Sequence, residues 1–201
     1  MDAMTATQLP RTAQRHTTTG RNGTPVDAPA SVLATTETPA RTAARYTLAG
    51  LRIALGWIFL WAFIDKVFGL GLATKAGNGW IDGGSPTKGF LGNAVAGPFA
   101  DVYRSFAGAA WADWLFMTGL AAIGTALILG IGMRIAAVAG GLLLVLMFTA
   151  VLPPENNPFM DDHLIYAAVL AVLALTGAGD TLGLGTVWAR LPIVRRLPWL
   201  R

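Results

Sequence analysis

The residues best suited to chemistry in this 201-residue chain stand in one short run, Asp161-Asp162-His163, followed by Tyr166. His163 and Tyr166 are three apart, and Asp162 and Tyr166 four apart, so on a helix they share one side. A histidine titrates near neutral pH and a tyrosine hydroxyl donates to carbonyl acceptors, so His163, Asp162 and Tyr166 together suit a proton relay. The acidic residues equally suit a helix N-terminus, whose dipole favours negative charge, and that structural reading stands beside the catalytic one. One histidine beside carboxylates lacks the ligand count of a metal site. The chain has no cysteine, which excludes thiolate metal sites and iron–sulfur clusters within it. The second histidine, His16, lies in a polar stretch, so no haem held between two histidines of this chain is expected.

Three further groups carry charge or open backbone. Arg52 falls about 9 Å inside an apolar stretch that starts at Tyr46. A charge at that depth is either functional or snorkels its head to the lipid head groups. Asp65 and Lys66 end the same stretch, about 20 Å along a helix from Arg52. They read as a membrane boundary or as a polar gate. Gly83-Gly84-Ser85-Pro86, with Lys88 nearby, is a plain turn or a nest of backbone N–H groups for an oxyanion such as thiosulfate or sulfite.

What must position these groups is a set of four long apolar stretches, roughly 46–64, 114–131, 135–152 and 164–178. At about 1.5 Å per residue such stretches approach a bilayer core of ~30 Å. Lipid offers the backbone no hydrogen bonds, so they are expected to be helices rather than strands. The expected fold is all-α, an integral membrane four-helix bundle over residues 45–180. Hydrophobic residues make up 54% of the chain, mean hydropathy is +0.53, and only 13% of residues are charged, in keeping with that class. Small residues recur at helical spacing, with Ala122, Ala126 and Gly130, then Ala136 and Gly140, then Ala167, Ala171, Ala174 and Ala178. Such faces let helices approach closely, within one bundle or between protomers of a homo-oligomer.

A pI near 10 could suggest nucleic acid, but the charges sort by side of the apolar stretches instead. Arg11, Arg15, Arg21, Arg41, Arg45, Arg52, Arg134, Arg190, Arg195, Arg196 and Arg201 fall on one side, against Lys66, Lys75, Lys88 and Arg104 on the other. The positive-inside rule therefore makes both termini cytoplasmic. Residues 1–44, rich in Thr, Ala, Pro, Gly and Arg, are expected to be a disordered cytoplasmic tail without a cleaved signal peptide. Residues 181–201 read as a basic amphipathic tail on the inner surface. Between the first two helices, residues 65–113 carry Trp80, Phe90, Phe99, Tyr103, Phe106, Trp111 and Trp114. That aromatic density predicts an extracytoplasmic cap of short interfacial helices.

The run Leu51-Arg52-Ile53-Ala54-Leu55-Gly56-Trp57-Ile58-Phe59-Leu60-Trp61-Ala62-Phe63-Ile64-Asp65-Lys66 resembles the DoxX/DoxD-like family of four-helix membrane proteins. So do Gly83-Gly84-Ser85-Pro86 with Gly89-Phe90-Leu91, Gly97-Pro98-Phe99, Gly130-Ile131-Gly132-Met133-Arg134, and Asn157-Pro158 with Asp162, His163 and Tyr166. The resemblance covers about residues 46–180. It implies the membrane subunit of a thiosulfate:quinone oxidoreductase-like enzyme, passing electrons from an external sulfur oxyanion to membrane quinone as a diffusible acceptor. On that reading His163, Asp162 and Tyr166 are catalytic, while Arg52, Asp65, Lys66, Trp80, Gly83, Gly84, Ser85 and Lys88 bind substrate or quinone. The implied partners are the lipid bilayer and a second redox subunit or soluble enzyme. The competing expectation is a non-catalytic scaffold that holds soluble redox or stress enzymes at the bacterial cell membrane. A small-solute transporter fits less well, because the middles of the apolar stretches offer almost no polar groups.

Overall fold

The computed structural model describes residues 37–154, 157 and 159–201, all helix, turn or irregular backbone with no strand among them. Residues 1–36, including the expected disordered arm with Arg11, Arg15, Arg21 and His16, lie outside the described residues, as does Pro158.

Helix α1 (Pro39–Phe68) starts ahead of the expected Tyr46. Pro39 sits at the first helical position, where its missing N–H costs nothing, and the Thr38 hydroxyl accepts the Arg41 N–H. Part of the expected N-terminal tail is therefore helical. The segment after α1 folds as short pieces, a turn at Trp80–Asp82, α2 (Lys88–Asn93), a turn at Gly97–Phe99 and α3 (Ala100–Ser105). Three more apolar helices follow, α4 (Ala110–Leu129), α5 (Met133–Ala150) and α6 (Asp162–Leu175). Two short helices, α7 (Gly185–Trp188) and α8 (Pro192–Arg196), close the chain.

The helices α1, α4 and α5 are long and apolar enough to cross a membrane. Their surfaces agree with that. Leu115 is 68% exposed and Val138 74%, and Trp57, Leu142 and Leu146 are also exposed. In water an apolar exterior of this extent is an aggregation hazard, whereas against acyl chains it is at home. Helix α6 differs from the expected span 164–178. It has 14 residues, about 21 Å, because Asp161 caps it early and Gly177 turns left-handed just past its end.

Pairs α1–α4 and α5–α6 pack most extensively, α4 also meets α5, and α1 touches α6. The shared core is built from Leu55 and Phe59 of α1, Met117, Leu120, Ile123 and Leu127 of α4, Leu144 of α5, and Leu170 and Leu173 of α6. Of the small residues at helical spacing, Gly130, Ala136, Gly140 and Ala178 are buried, whereas Ala122 and Ala171 are exposed. The tightest seam between α1 and α4 depends on Gly124. A Cβ there would stand 2.7 Å from the backbone nitrogen of Leu60, which cannot rotate away. Gly124→Ala is expected to force the two helices apart and lower stability by about 1–3 kcal/mol, read as a shift in the unfolding midpoint in detergent. An unchanged midpoint would rule out that seam as a close contact.

A second, smaller core fixes the segment between α1 and α4 to the end of α5. Val95, Ala100 and Ala150 are buried together, with Phe90, Leu91 and Tyr103 against them. Ala96 N–H donates to the Ala150 carbonyl at 3.0 Å. Tyr103 Oη lies 3.0 Å from the Leu146 carbonyl and 2.5 Å from Thr149 Oγ1. This capped end also receives the C-terminus of α1 and the N-termini of α4 and α6, by chain direction. The opposite end carries the tail.

Candidate functional site

Asp65 closes the capped end of α1. Its side chain is 1% exposed; Oδ2 accepts the Thr74 N–H at 2.7 Å, and Oδ1 has no hydrogen-bond partner among the described residues. The sequence puts a carboxylate where the helix C-terminus is partly negative, and the loop that follows α1 supplies one N–H in compensation. Lys66 does not pair with it among the described residues. Its Nζ instead lies 5.9 Å from the Phe116 ring centroid, at the edge of cation–π range. Trp80 meets Trp114 edge-on at 4.7 Å, so Lys66 and Trp80 both lie against the first turns of α4.

The Gly83 and Gly84 N–H groups donate to the carbonyls of Trp80 and Gly79, and the carboxylate beside the turn is held instead by Ser85 and Thr87. Asp113, in the first turn of α4, is buried. Its Oδ1 accepts from Ser85 Oγ at 2.9 Å, from Thr87 N–H at 2.9 Å and from Thr87 Oγ1 at 2.6 Å. Thr87 Oγ1 in turn accepts the Gly108 N–H at 3.1 Å, so one carboxylate ties two loops to the helix. Charge-assisted bonds of this kind are stronger than neutral ones. The Ser85 hydroxyl is therefore committed within the chain, while Lys88 remains exposed beside the turn. Asp113 was not among the candidates read from the sequence. The available signal was an acidic residue at the very start of an apolar run, where a helix dipole favours it.

Arg52 lies at the other end of the molecule. It is fully buried and does not snorkel. Nη1 donates to the carbonyls of Leu127 and Ile128, the latter at 2.9 Å. Nη2 donates to those of Thr181 at 3.3 Å and Leu182 at 2.9 Å. A helix leaves its last four carbonyls unpaired and partly negative, and a guanidinium supplies both hydrogen and charge. Gly130 completes this C-terminus with a φ of 71°, a left-handed cap in which a Cβ would stand 2.9 Å from Arg52 Nη1. Arg52 and Asp65 thus do not belong to one site, and the proposed substrate- and quinone-binding set divides between two ends.

At the start of α6 the histidine's partner is Asp161. His163 Nδ1 lies 2.5 Å from Asp161 Oδ2, while Asp161 Oδ1 caps the helix by accepting the Leu164 N–H at 3.2 Å. Asp162 is exposed, and among the described residues its side chain makes no hydrogen bond to that pair. Tyr166 packs against the main core. Among the described residues no group of three or more His, Asp or Glu side chains is arranged to hold a metal ion. The same end of the molecule thus carries the Asp65 carboxyl, Lys66, the Asp161–His163 pair and Tyr166, with no hydrogen bond joining Asp65 or Lys66 to the other three among the described residues. Comparisons with protein-family models, with curated proteins and with solved structures find no match to this chain.

Proposed function

We propose that the chain is a multi-pass protein of the cell membrane in which α6 completes a four-helix bundle. Both termini are cytoplasmic and the segment between α1 and α4 is an extracytoplasmic cap. Its function is that of a quinone-linked oxidoreductase subunit, thiosulfate:quinone-like, taking electrons from an external sulfur oxyanion. The observation that carries this reading is Asp65, a carboxyl buried at the capped end with one oxygen left unpartnered among the described residues. A buried polar atom without a partner is costly and calls for an explanation, which a role in proton exchange supplies for Asp65. Reducing a quinone to its quinol takes two electrons and two protons. Asp65, and beyond it the Asp161–His163 pair and Tyr166, offer groups that hold and pass protons where the bilayer meets the outside. Lys66 and Lys88 supply the positive charge that an oxyanion requires.

The reading is tested by thiosulfate-dependent reduction of a soluble quinone analogue, using purified protein in lipid. Asp65→Asn and His163→Ala are each expected to lower the rate about 100-fold with folding intact, the usual scale for losing a positioned proton donor. A parent protein that stays inactive with its captured partners added would overturn it.

The scaffold reading remains as a second proposal, favoured by a specific observation. The two Nη groups of Arg52 and the Ser85–Thr87 donors, the groups best suited to a ligand, are spent on the chain's own carbonyls and on Asp113. A scaffold is expected to be captured with a soluble enzyme in fixed proportion, and to show no quinone reduction of its own.

A further inference from the structure

The tail from Thr181 to Arg201 contains four arginines and no acidic residue. It does not hang free. Leu184 N–H donates to the Leu129 carbonyl at 2.8 Å, and Arg134 N–H to the Arg201 backbone oxygen at 3.0 Å. Arg134 Nη1 reaches the Pro198 carbonyl at 3.1 Å, and Trp188 Nε1 the Leu200 carbonyl at 2.7 Å. Gly185 and Val194 are buried beneath it. These bonds pin α7 and α8 across the ends of α4 and α5.

The pinned segment turns two kinds of side chain outward. Val187, Ile193 and Trp199 are each close to 60% exposed. Arg190, Arg195 and Arg196 are exposed too, and among the described residues none of the three has a hydrogen bond or ion pair from its side chain. Apolar side chains fixed outward need an apolar neighbour, and three unpaired guanidinium groups beside them need anions at the same depth. A folded acidic protein would answer the arginines and leave the apolar row against water. The tail is bonded to the ends of α4 and α5 at Leu129 and Arg134, where Leu129 and Ile135 are themselves exposed, so the natural neighbour of its apolar side chains is the bilayer that those helices enter.

We infer that α7 and α8 form an in-plane collar that binds the phosphate head groups of anionic phospholipids through Arg190, Arg195 and Arg196. The aromatic and aliphatic side chains sit at the acyl boundary, the arrangement of interfacial amphipathic helices. Forked N–H groups of arginine match phosphate oxygens two at a time. The inference needs the membrane placement of the helices and is independent of the redox reading, so either can fail alone.

The test is a titration of the detergent-purified full chain with short-chain phosphatidylglycerol, with phosphatidylcholine and inorganic phosphate as separate arms. Each arginine near an anionic head group is worth about fivefold in affinity at low salt. Phosphatidylglycerol is therefore expected to bind roughly 100-fold more tightly than phosphatidylcholine, falling to its level in the triple variant Arg190→Gln/Arg195→Gln/Arg196→Gln and at high salt. Should the triple variant not purify, Arg190→Gln alone is expected to cost about fivefold. Equal binding of the two lipids, binding unchanged by the substitutions, or inorganic phosphate binding as tightly as the lipid would each overturn the collar.

Discussion

Arg52→Ala is expected to cost more than about 3 kcal/mol of stability. The side chain is fully buried, and its two terminal nitrogens hold four carbonyls, those of Leu127, Ile128, Thr181 and Leu182. Removing the guanidinium takes the side-chain donor from all four oxygens, of which Leu127 alone keeps a backbone partner among the described residues, in the Gly130 N–H, and opens a cavity the size of the lost side chain. It also removes a residue that ties α1 at once to the end of α4 and to the loop after α6. Arg52→Met keeps the volume but not the donors, and is expected to be nearly as damaging. Arg52→Lys keeps the charge but lacks the fork needed to span both carbonyl pairs, so its midpoint should fall between. The measurement is an unfolding midpoint in detergent for the three variants. Midpoints within about 1 kcal/mol of the parent would show that the carbonyls find other partners, and would return Arg52 to the list of binding residues.

That result bears on how much of the molecule its sequence discloses. The three long helices are legible because lipid imposes a length and a composition that hydropathy reads directly. Their ends are less so, since Asp113 and Asp162 look like breaks in an apolar run yet stand inside the first turns of α4 and α6. A helix N-terminus accepts acidic residues, and a reading by hydropathy alone stops short of them. The candidate site divides for a related reason. Arg52, Ser85, Asp161 and His163 are conspicuous as types, but a polar side chain beside apolar helices has backbone groups to satisfy before it serves a ligand. Which oxygen each donor reaches depends on contacts between residues 26 to 130 apart in the chain, as in the Thr87–Asp113 and Arg52–Leu182 bonds. Spacing along one helix cannot disclose those. His163 shows the same limit at short range, where extended backbone at the Asp161 cap brings that carboxylate, rather than Asp162, onto the ring.

Asp113→Ala is expected to loosen the whole cap while leaving the apolar helices folded. Three hydrogen bonds converge on one carboxylate oxygen, two of them from Thr87, which also holds the Gly108 N–H. Removing the carboxylate strands at least one buried N–H and two hydroxyls, a loss of about 3 kcal/mol in the local stability of the cap. The carboxylate ties residues 85–87 to the start of α4 and lies outside the core shared by the long helices, so local opening, not global unfolding, should carry the effect. Lys75, Lys88 and Arg104 are exposed tryptic sites in this segment. When opening is fast relative to cleavage, the cutting rate follows the population of the open state, and about 3 kcal/mol corresponds to roughly 100-fold. Asp113→Asn keeps the acceptor but not the charge, and should fall between the alanine variant and the parent. The alanine variant also vacates a ready-made oxyanion nest. Sulfate or thiosulfate added to it is expected to slow trypsin again by filling the place of the carboxylate, with no such effect on the parent. Equal cleavage of parent and variant would mean that the small core around Val95, Ala100 and Ala150 holds the cap without Asp113.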